Sequence, residues 1–398
     1  MRKLGLATVL ALALAAVAVP AAAEAPGVWS SAWARAMQAP TASAAASPDW
    51  SLAGFAGESV RQVLRLTAGG TKMRVTLSNR YGTRPLVVSG ASVALAGAGG
   101  GIAPGTSWPL TFGGRAATVI APGEELRSDA ARLDAAALTR ISVTLWFAGT
   151  TGPATFHRTA AERAYRAPGD HRHDTSGAAF TTPVLSSYYL TAVEVAGPRE
   201  DAVVAFGDSI TDGLGSTVGG DDRYPDQLTA RLGSAVLNCG ITGNRLLTGT
   251  ERYGESALAR FARDVLARPG VRTVVVLIGV NDIGESGGDP AIAGRIVEGL
   301  RTLVVAAKTR GLRIVGATLT PFKGSYYDSP ANEAARDAVN AWIRSPGSFD
   351  AVVDFDAALA DPAEPDRMRA EFSAGSDGLH PNPAGFAAMA AAFDPAAL

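Results

Sequence analysis

A serine hydroxyl is a poor nucleophile until a base takes its proton, and near neutral pH the usual base is imidazole. Ser209, in Gly207-Asp208-Ser209, has one such base within residues 200–398, His380. Asp377 lies three residues before that histidine, with Gly378 between them to ease a tight turn. At that spacing the carboxylate can hydrogen-bond the far ring nitrogen, fix the tautomer and stabilise the imidazolium that forms during attack. The oxyanion of a tetrahedral intermediate also needs donors fixed in advance. The backbone N–H of Ser209, the backbone N–H of Gly243 and the side-chain amide of Asn281 are the candidates. The chemistry so assembled is acyl transfer through a covalent acyl-enzyme. Asp208 and Asp282 are expected to shape loops, because a mechanism run on carboxylates alone would leave Ser209 and His380 without a task.

Each of these short motifs is, alone, ordinary turn chemistry. What gives them weight is the pattern of elements that must hold them. Apolar runs at Ala202–Phe206, Ala235–Leu237, Thr273–Ile278, Arg313–Leu319 and Ala351–Phe355 alternate with helical segments. The clearest helix lies between Pro290 and Gly311, where Ile292, Ile296, Leu300, Leu303 and Ala307 recur at three- and four-residue steps. Strand and helix in alternation predict a parallel sheet covered on both faces, a three-layer α/β/α domain over residues 200–398. Ser209, the Asn238–Asn244 segment, the Gly279–Asp282 segment and the Asp377–His380 segment would then share the edge where open α/β sheets place their ligands.

Residues 27–196 read differently. Short alternating runs at Val60–Leu66, Lys72–Leu77, Leu86–Val88, Ile141–Phe147 and Tyr188–Val195 are separated by glycine- and proline-containing turns. Period-two alternation of this kind predicts an all-β domain, a sandwich or jelly roll. Trp29, Trp33, Trp50, Trp108 and Trp146 all fall here; tryptophan in a β core is the commoner use, stacking on sugars the rarer one. In Asp170-His-Arg-His-Asp174 two histidines flank one residue, a spacing a metal can use, but the neighbouring Ala-Pro-Gly and Thr-Ser-Gly favour a solvated loop, and no metal site is assigned. His157 is isolated in sequence and is expected to be structural or to border the cleft.

With 398 residues and a formal net charge of −1, the chain has room for two cored domains and no electrostatic footprint for nucleic acid. Arg2 and Lys3, the apolar run from Leu4 to Val19 and the small residues Ala21–Ala23 read as a cleaved secretory signal over residues 1–23. Export, periplasmic or extracellular, is therefore expected, with no stable membrane insertion once the signal is removed. Cys239 is the single cysteine, so no intramolecular disulfide can form.

Gly207-Asp208-Ser209, Gly243, Gly279-x-Asn281-Asp282 and Asp377-x-x-His380, in that order, resemble the blocks of the SGNH, or GDSL-type, serine esterases and lipases. The resemblance covers the whole second domain; Ile210 stands where the family name has leucine. It implies Ser209 as nucleophile, His380 as base, Asp377 as its orienter, and Gly243 and Asn281 completing the oxyanion hole. It also implies a flavodoxin-like parallel sheet and no metal or organic cofactor. Some members carry an added N-terminal β domain and act on acylated polysaccharides, and this chain is similar to them in architecture. The expected function is an exported serine esterase acting on O-acetyl groups of carbohydrate or on short-chain acyl esters, with a small molecule or an acylated polysaccharide as substrate. Two alternatives stand beside it: an O-acyltransferase using the same triad, and a carbohydrate-binding protein with an inactive hydrolase domain.

Overall fold

Alternation is the organising feature of the first part of the chain. Along Gly70–Ser78 the residues Met73, Val75 and Leu77 are buried and those between them are not, and Ala131–Ala135 repeats the pattern. Such strands have one apolar face each and must bury it against another sheet. Two antiparallel sheets do so. One has six strands in the order Thr182–Val184, Ala164–Pro168, Glu58–Arg65, Arg140–Phe147, Gly90–Leu95, Trp108–Leu110. The other runs Trp29–Ala34, Leu190–Ala196, Gly70–Ser78, with Glu125–Arg127 and Ala131–Ala135 both pairing with Gly70–Ser78. Trp50, Phe55, Phe147, Tyr188 and Tyr189 pack as an aromatic group inside this all-β domain. The run expected at Tyr188–Val195 is split, because Tyr189 adopts φ 61° and breaks the extended backbone between Ser187–Tyr188 and Leu190–Ala196.

The computed structural model describes residues 29–43, 48–197 and 201–397. The expected signal over residues 1–23 lies outside them. Among the described residues no helix is long and apolar enough to cross a membrane.

From Ala202 the sheet becomes parallel. Its order is Val236–Gly240, Ala202–Gly207, Val271–Leu277, Arg313–Ala317, Ala351–Val353, which in chain order is 2-1-3-4-5, the flavodoxin-like arrangement. The Ala202–Gly207 strand is buried throughout, as a strand covered on both faces must be. Ile292–Thr309 is the longest helix and buries Ile292, Ile296, Leu300, Leu303 and Ala307. The second strand runs further than its apolar run suggests: Asn238 pairs with Ala205 and Cys239 with Phe206, and the Asn238 amide donates to the Thr211 carbonyl at 2.7 Å. A polar side chain at a strand end is tolerated there because it has a partner.

The two domains meet along a polar seam. Ser31 Oγ donates to the Pro269 carbonyl at 2.7 Å, Tyr81 Oη to Glu255 at 2.8 Å, and the Arg140 guanidinium to the Gly219 carbonyl at 2.8 Å. Arg35 of the first domain pairs with Glu162 at 2.9 Å, and the same carboxylate faces Arg223 of the second at 3.8 Å.

Candidate active site

The Ala202–Gly207 strand delivers the chain to the carboxyl edge of the sheet, where Ser209 opens a single helical turn, Ser209–Asp212. Asp208 caps that turn, its Oδ1 accepting from the Ile210 N–H at 3.0 Å. A Cβ on Gly207 would sit 2.2 Å from the Leu277 carbonyl oxygen and 2.2 Å from Thr211 Oγ1. The space beside this glycine thus belongs to the neighbouring strand and the helical turn, and is not an approach for substrate.

Ser209 Oγ lies 2.9 Å from His380 Nε2, and His380 Nδ1 lies 2.7 Å from Asp377 Oδ2. Because Nδ1 faces a carboxylate it carries the ring proton, which leaves Nε2 to accept from the serine hydroxyl. The other oxygen of Asp377 accepts from the backbone N–H of Leu379 at 2.9 Å and of His380 at 3.0 Å. One carboxylate therefore both closes the turn and orients the ring. Gly378, at φ 66°, supplies the left-handed residue that the turn requires. Partial burial works against charge on Asp377, but the His380 ring and the two N–H groups outweigh it and hold the carboxyl down at about 2. Ser209 and His380 are buried at 3% and 5% exposure, so their hydrogen bond is largely shielded from water.

Gly243 and Asn281 line the same cleft as Ser209 and His380, a cavity of about 320 Å³. Gly243 is at φ 74°, and a Cβ there would lie 2.3 Å from the Tyr253 ring. Asn281 Nδ2 donates one hydrogen to the Asn244 carbonyl at 2.9 Å, while its Oδ1 accepts from Tyr327 Oη at 3.1 Å. That pair of bonds fixes which end of the amide is nitrogen and leaves its second hydrogen for the cleft. The three residues expected to supply oxyanion donors, Ser209, Gly243 and Asn281, thus line one cleft, with a base on the serine hydroxyl. A larger groove of about 620 Å³ lies alongside, with Arg245 and Glu285 lining both. The chemistry-bearing groups sit in the smaller one.

The two acidic neighbours do shape loops. Asp282 accepts from Leu246 N–H at 2.7 Å and Leu247 N–H at 3.0 Å, and Asp208 caps. Burial raises both carboxyls, that of Asp208 to about 7.

Several residues that build the site have no motif in the sequence. Arg260, fully buried, donates to the Cys239 carbonyl at 2.8 Å, the Gly207 carbonyl at 2.8 Å and Asn244 Oδ1 at 2.9 Å. It ties the ends of the first two strands to the loop that holds Asn281. Tyr326, 69% exposed, packs on Tyr327 with ring centroids 4.5 Å apart and forms a wall of the cleft opposite no recognisable signal in sequence. The histidines of Asp170–Asp174 turn to separate partners: His171 to Asp174 at 2.6 Å, His173 to Ser107 at 2.7 Å. Of the five tryptophans in the first domain, Trp33 and Trp50 are in its core and Trp108 is exposed. His157 is buried and stands 3.0 Å from Asp212, at the far end of the helical turn that Ser209 begins.

Residues 205–388 match the model of the GDSL-like Lipase/Acylhydrolase family. No curated protein matches the chain. Among solved structures, similarity extends to a GDSL-like lipase of Bacteroides thetaiotaomicron, 20% identical, covering 50% of this chain and 89% of that one with a TM-score of 0.40. An aryl esterase of M. smegmatis, solved in inhibitor-bound form, is 14% identical and covers 48% of this chain and 95% of its own, also at 0.40.

Proposed function

The second domain of this chain belongs to the GDSL-like lipase/acylhydrolase family and is a carboxylic ester hydrolase, and from that premise we propose that the protein is an exported serine esterase working through an acyl-enzyme on Ser209. The observation that carries the reading is the hydrogen-bonded series Ser209 Oγ, His380 Nε2, His380 Nδ1, Asp377 Oδ2, spaced at 2.9 and 2.7 Å.

In this mechanism His380 Nε2 takes the Ser209 proton as Oγ attacks the ester carbonyl. The carbonyl oxygen becomes an oxyanion and is met by the N–H groups of Ser209 and Gly243 and by the Asn281 amide. The imidazolium, stabilised by Asp377, returns the proton to the leaving alkoxide, and the C–O bond of the ester breaks. Water then repeats the sequence: His380 takes its proton, the hydroxide oxygen adds to the acyl carbon, and collapse frees the carboxylic acid and Ser209.

The cleft of about 320 Å³ that holds Ser209 and His380 is the place for the acyl group. Tyr326, 69% exposed at the wall of the cleft, offers a flat face of the kind that packs on a sugar or aromatic ring. Together with the added β domain these features favour O-acetylated carbohydrate as the substrate class, with simple short-chain esters also turned over. Export rests on the N-terminal sequence.

Hydrolysis of p-nitrophenyl acetate by wild type and by Ser209→Ala tests the mechanism. Loss of turnover by at least about a thousandfold is expected, and equal rates would sink it. Acetate release from acetylated xylan or pectin, compared with butyryl and longer esters, tests the substrate class; a preference for long acyl chains would overturn it.

A further inference from the structure

His157 belongs to the first domain, yet its ring is one link from the oxyanion loop of the second. Nδ1 faces the Ala36 carbonyl at 2.8 Å; Nε2 faces Asp212 Oδ1 at 3.0 Å and the Thr159 carbonyl at 3.1 Å. The two carbonyls can only accept. Asp212 in turn uses Oδ2 to accept from both the backbone N–H of Thr242 at 2.9 Å and Thr242 Oγ1 at 2.7 Å, as an ionised carboxylate does. Both ring nitrogens thus face acceptors, and the His157–Asp212 contact is buried, with side chains 1% and 3% exposed.

The chain of contacts ends where chemistry is expected. Thr242 is the residue before Gly243, whose N–H is an oxyanion donor in the mechanism above. Asp212 closes the helical turn that Ser209 opens. The loop has no slack against that turn, since a Cβ on Gly240 would stand 2.3 Å from the Asp212 backbone nitrogen. Burial works against charge on Asp212, but His157, the Arg35 guanidinium and the Thr242 hydroxyl together more than compensate and hold its carboxyl below the ordinary range.

We infer that His157 is a positioning residue of the esterase: through Asp212 and Thr242 the first domain sets the place of the Gly243 N–H relative to Ser209. The first domain is then a working part of the oxyanion hole and more than an appendage for binding polymer. The inference rests on the acyl-enzyme reading of Ser209.

The test uses the full-length protein with p-nitrophenyl acetate, and kcat is expressed per Ser209 titrated with a fluorophosphonate, so that a misfolded fraction does not count. His157→Gln keeps a donor near Asp212 but loses the ring that spans Ala36 and Asp212, and Thr242→Val removes the hydroxyl bond to Asp212, one of the two that Thr242 makes, without touching the first domain. Each is expected to lower kcat per titrated site by about tenfold to a hundredfold, the range a small misplacement of catalytic groups produces, with KM within about threefold. The double variant should be little worse than the poorer single one, because both break one chain. An unchanged kcat per site in either variant, or fully multiplicative losses in the double, would overturn the inference. Should His157→Gln fail to fold, Thr242→Val still decides. If Ser209→Ala keeps turnover, the acyl-enzyme reading falls; if turnover depends on Ser209 but not on His157, only this inference does.

Discussion

Asp377 holds His380 twice: Oδ2 takes the ring Nδ1–H at 2.7 Å while Oδ1 takes the backbone N–H of the same histidine at 3.0 Å. Turn and tautomer are thus set by one side chain, and a substitution can separate the two jobs. Asp377→Asn keeps an oxygen for the turn but places either a second donor or a poorer acceptor at the ring. The expected result is a fall in kcat of about a thousandfold to ten-thousandfold with KM little changed, measured on p-nitrophenyl acetate. The pH dependence has a definite sign. A carboxyl held at about 2, against 3.8 when free, stabilises the fold fully above about pH 4, and that contribution is lost as pH falls towards 2. The difference in unfolding midpoint between wild type and Asp377→Asn should be flat from pH 5 to 8 and shrink below pH 4.

Asn281 is oriented by the Tyr327 hydroxyl at 3.1 Å and the Asn244 carbonyl at 2.9 Å. Asn281→Ala removes a donor from the oxyanion site and should lower kcat by about a hundredfold to a thousandfold. Tyr327→Phe leaves the donor in place but frees the amide to rotate, so a smaller loss, about threefold to tenfold, is expected. A larger loss in Tyr327→Phe than in Asn281→Ala would show that the tyrosine acts on substrate directly.

Much of this architecture is legible in the sequence because its causes are local. Ala202–Phe206 reads as a buried strand from five consecutive apolar residues, and Asp377-x-x-His380 reads as a turn from its spacing and Gly378. What stays hidden is carried by contacts between residues far apart in the chain. Arg260 lies 53 residues from the Gly207 carbonyl it binds, and His157 lies 55 residues from Asp212, in the other domain. Neither has a neighbour in sequence that reveals its partner. Tyr189 escapes for another reason: an aromatic in an alternating run looks like strand, and only the packing around it holds φ at 61°.

Gly207 gives a sharp stability test. A Cβ at this position would meet the Leu277 carbonyl oxygen and Thr211 Oγ1, both at 2.2 Å, within the best-buried strand of the sheet. Neither neighbour is the free end of a long side chain, so the backbone itself must move. Gly207→Ala is expected to cost about 3 kcal/mol or more and to shift Ser209 away from His380. Thermal unfolding and fluorophosphonate labelling should both report it; a variant with wild-type midpoint and labelling rate would show that the strand edges can yield.

Asp208 offers the opposite kind of pH effect from Asp377. Its Oδ1 caps the helical turn of Ser209 at 3.0 Å, but Oδ2 is buried without a hydrogen-bond partner, and burial raises the carboxyl to about 7. A carboxyl higher in the folded protein than in the unfolded chain favours folding while it is protonated. That advantage is complete below the unfolded value of 3.8 and is lost as pH rises through about 7. The upper limit of the swing is on the order of 4 kcal/mol. Asp208→Asn retains an oxygen for the cap and carries no titrating group, so its stability should lack this slope. Any cost of its buried amide N–H is an offset independent of pH. Urea denaturation of both proteins at pH 5, 7 and 9 reads the slope directly. Wild type is expected to lose ground to Asp208→Asn between pH 5 and 7 and little more between pH 7 and 9, and parallel curves would show that the carboxylate finds compensation that its hydrogen bonds do not reveal.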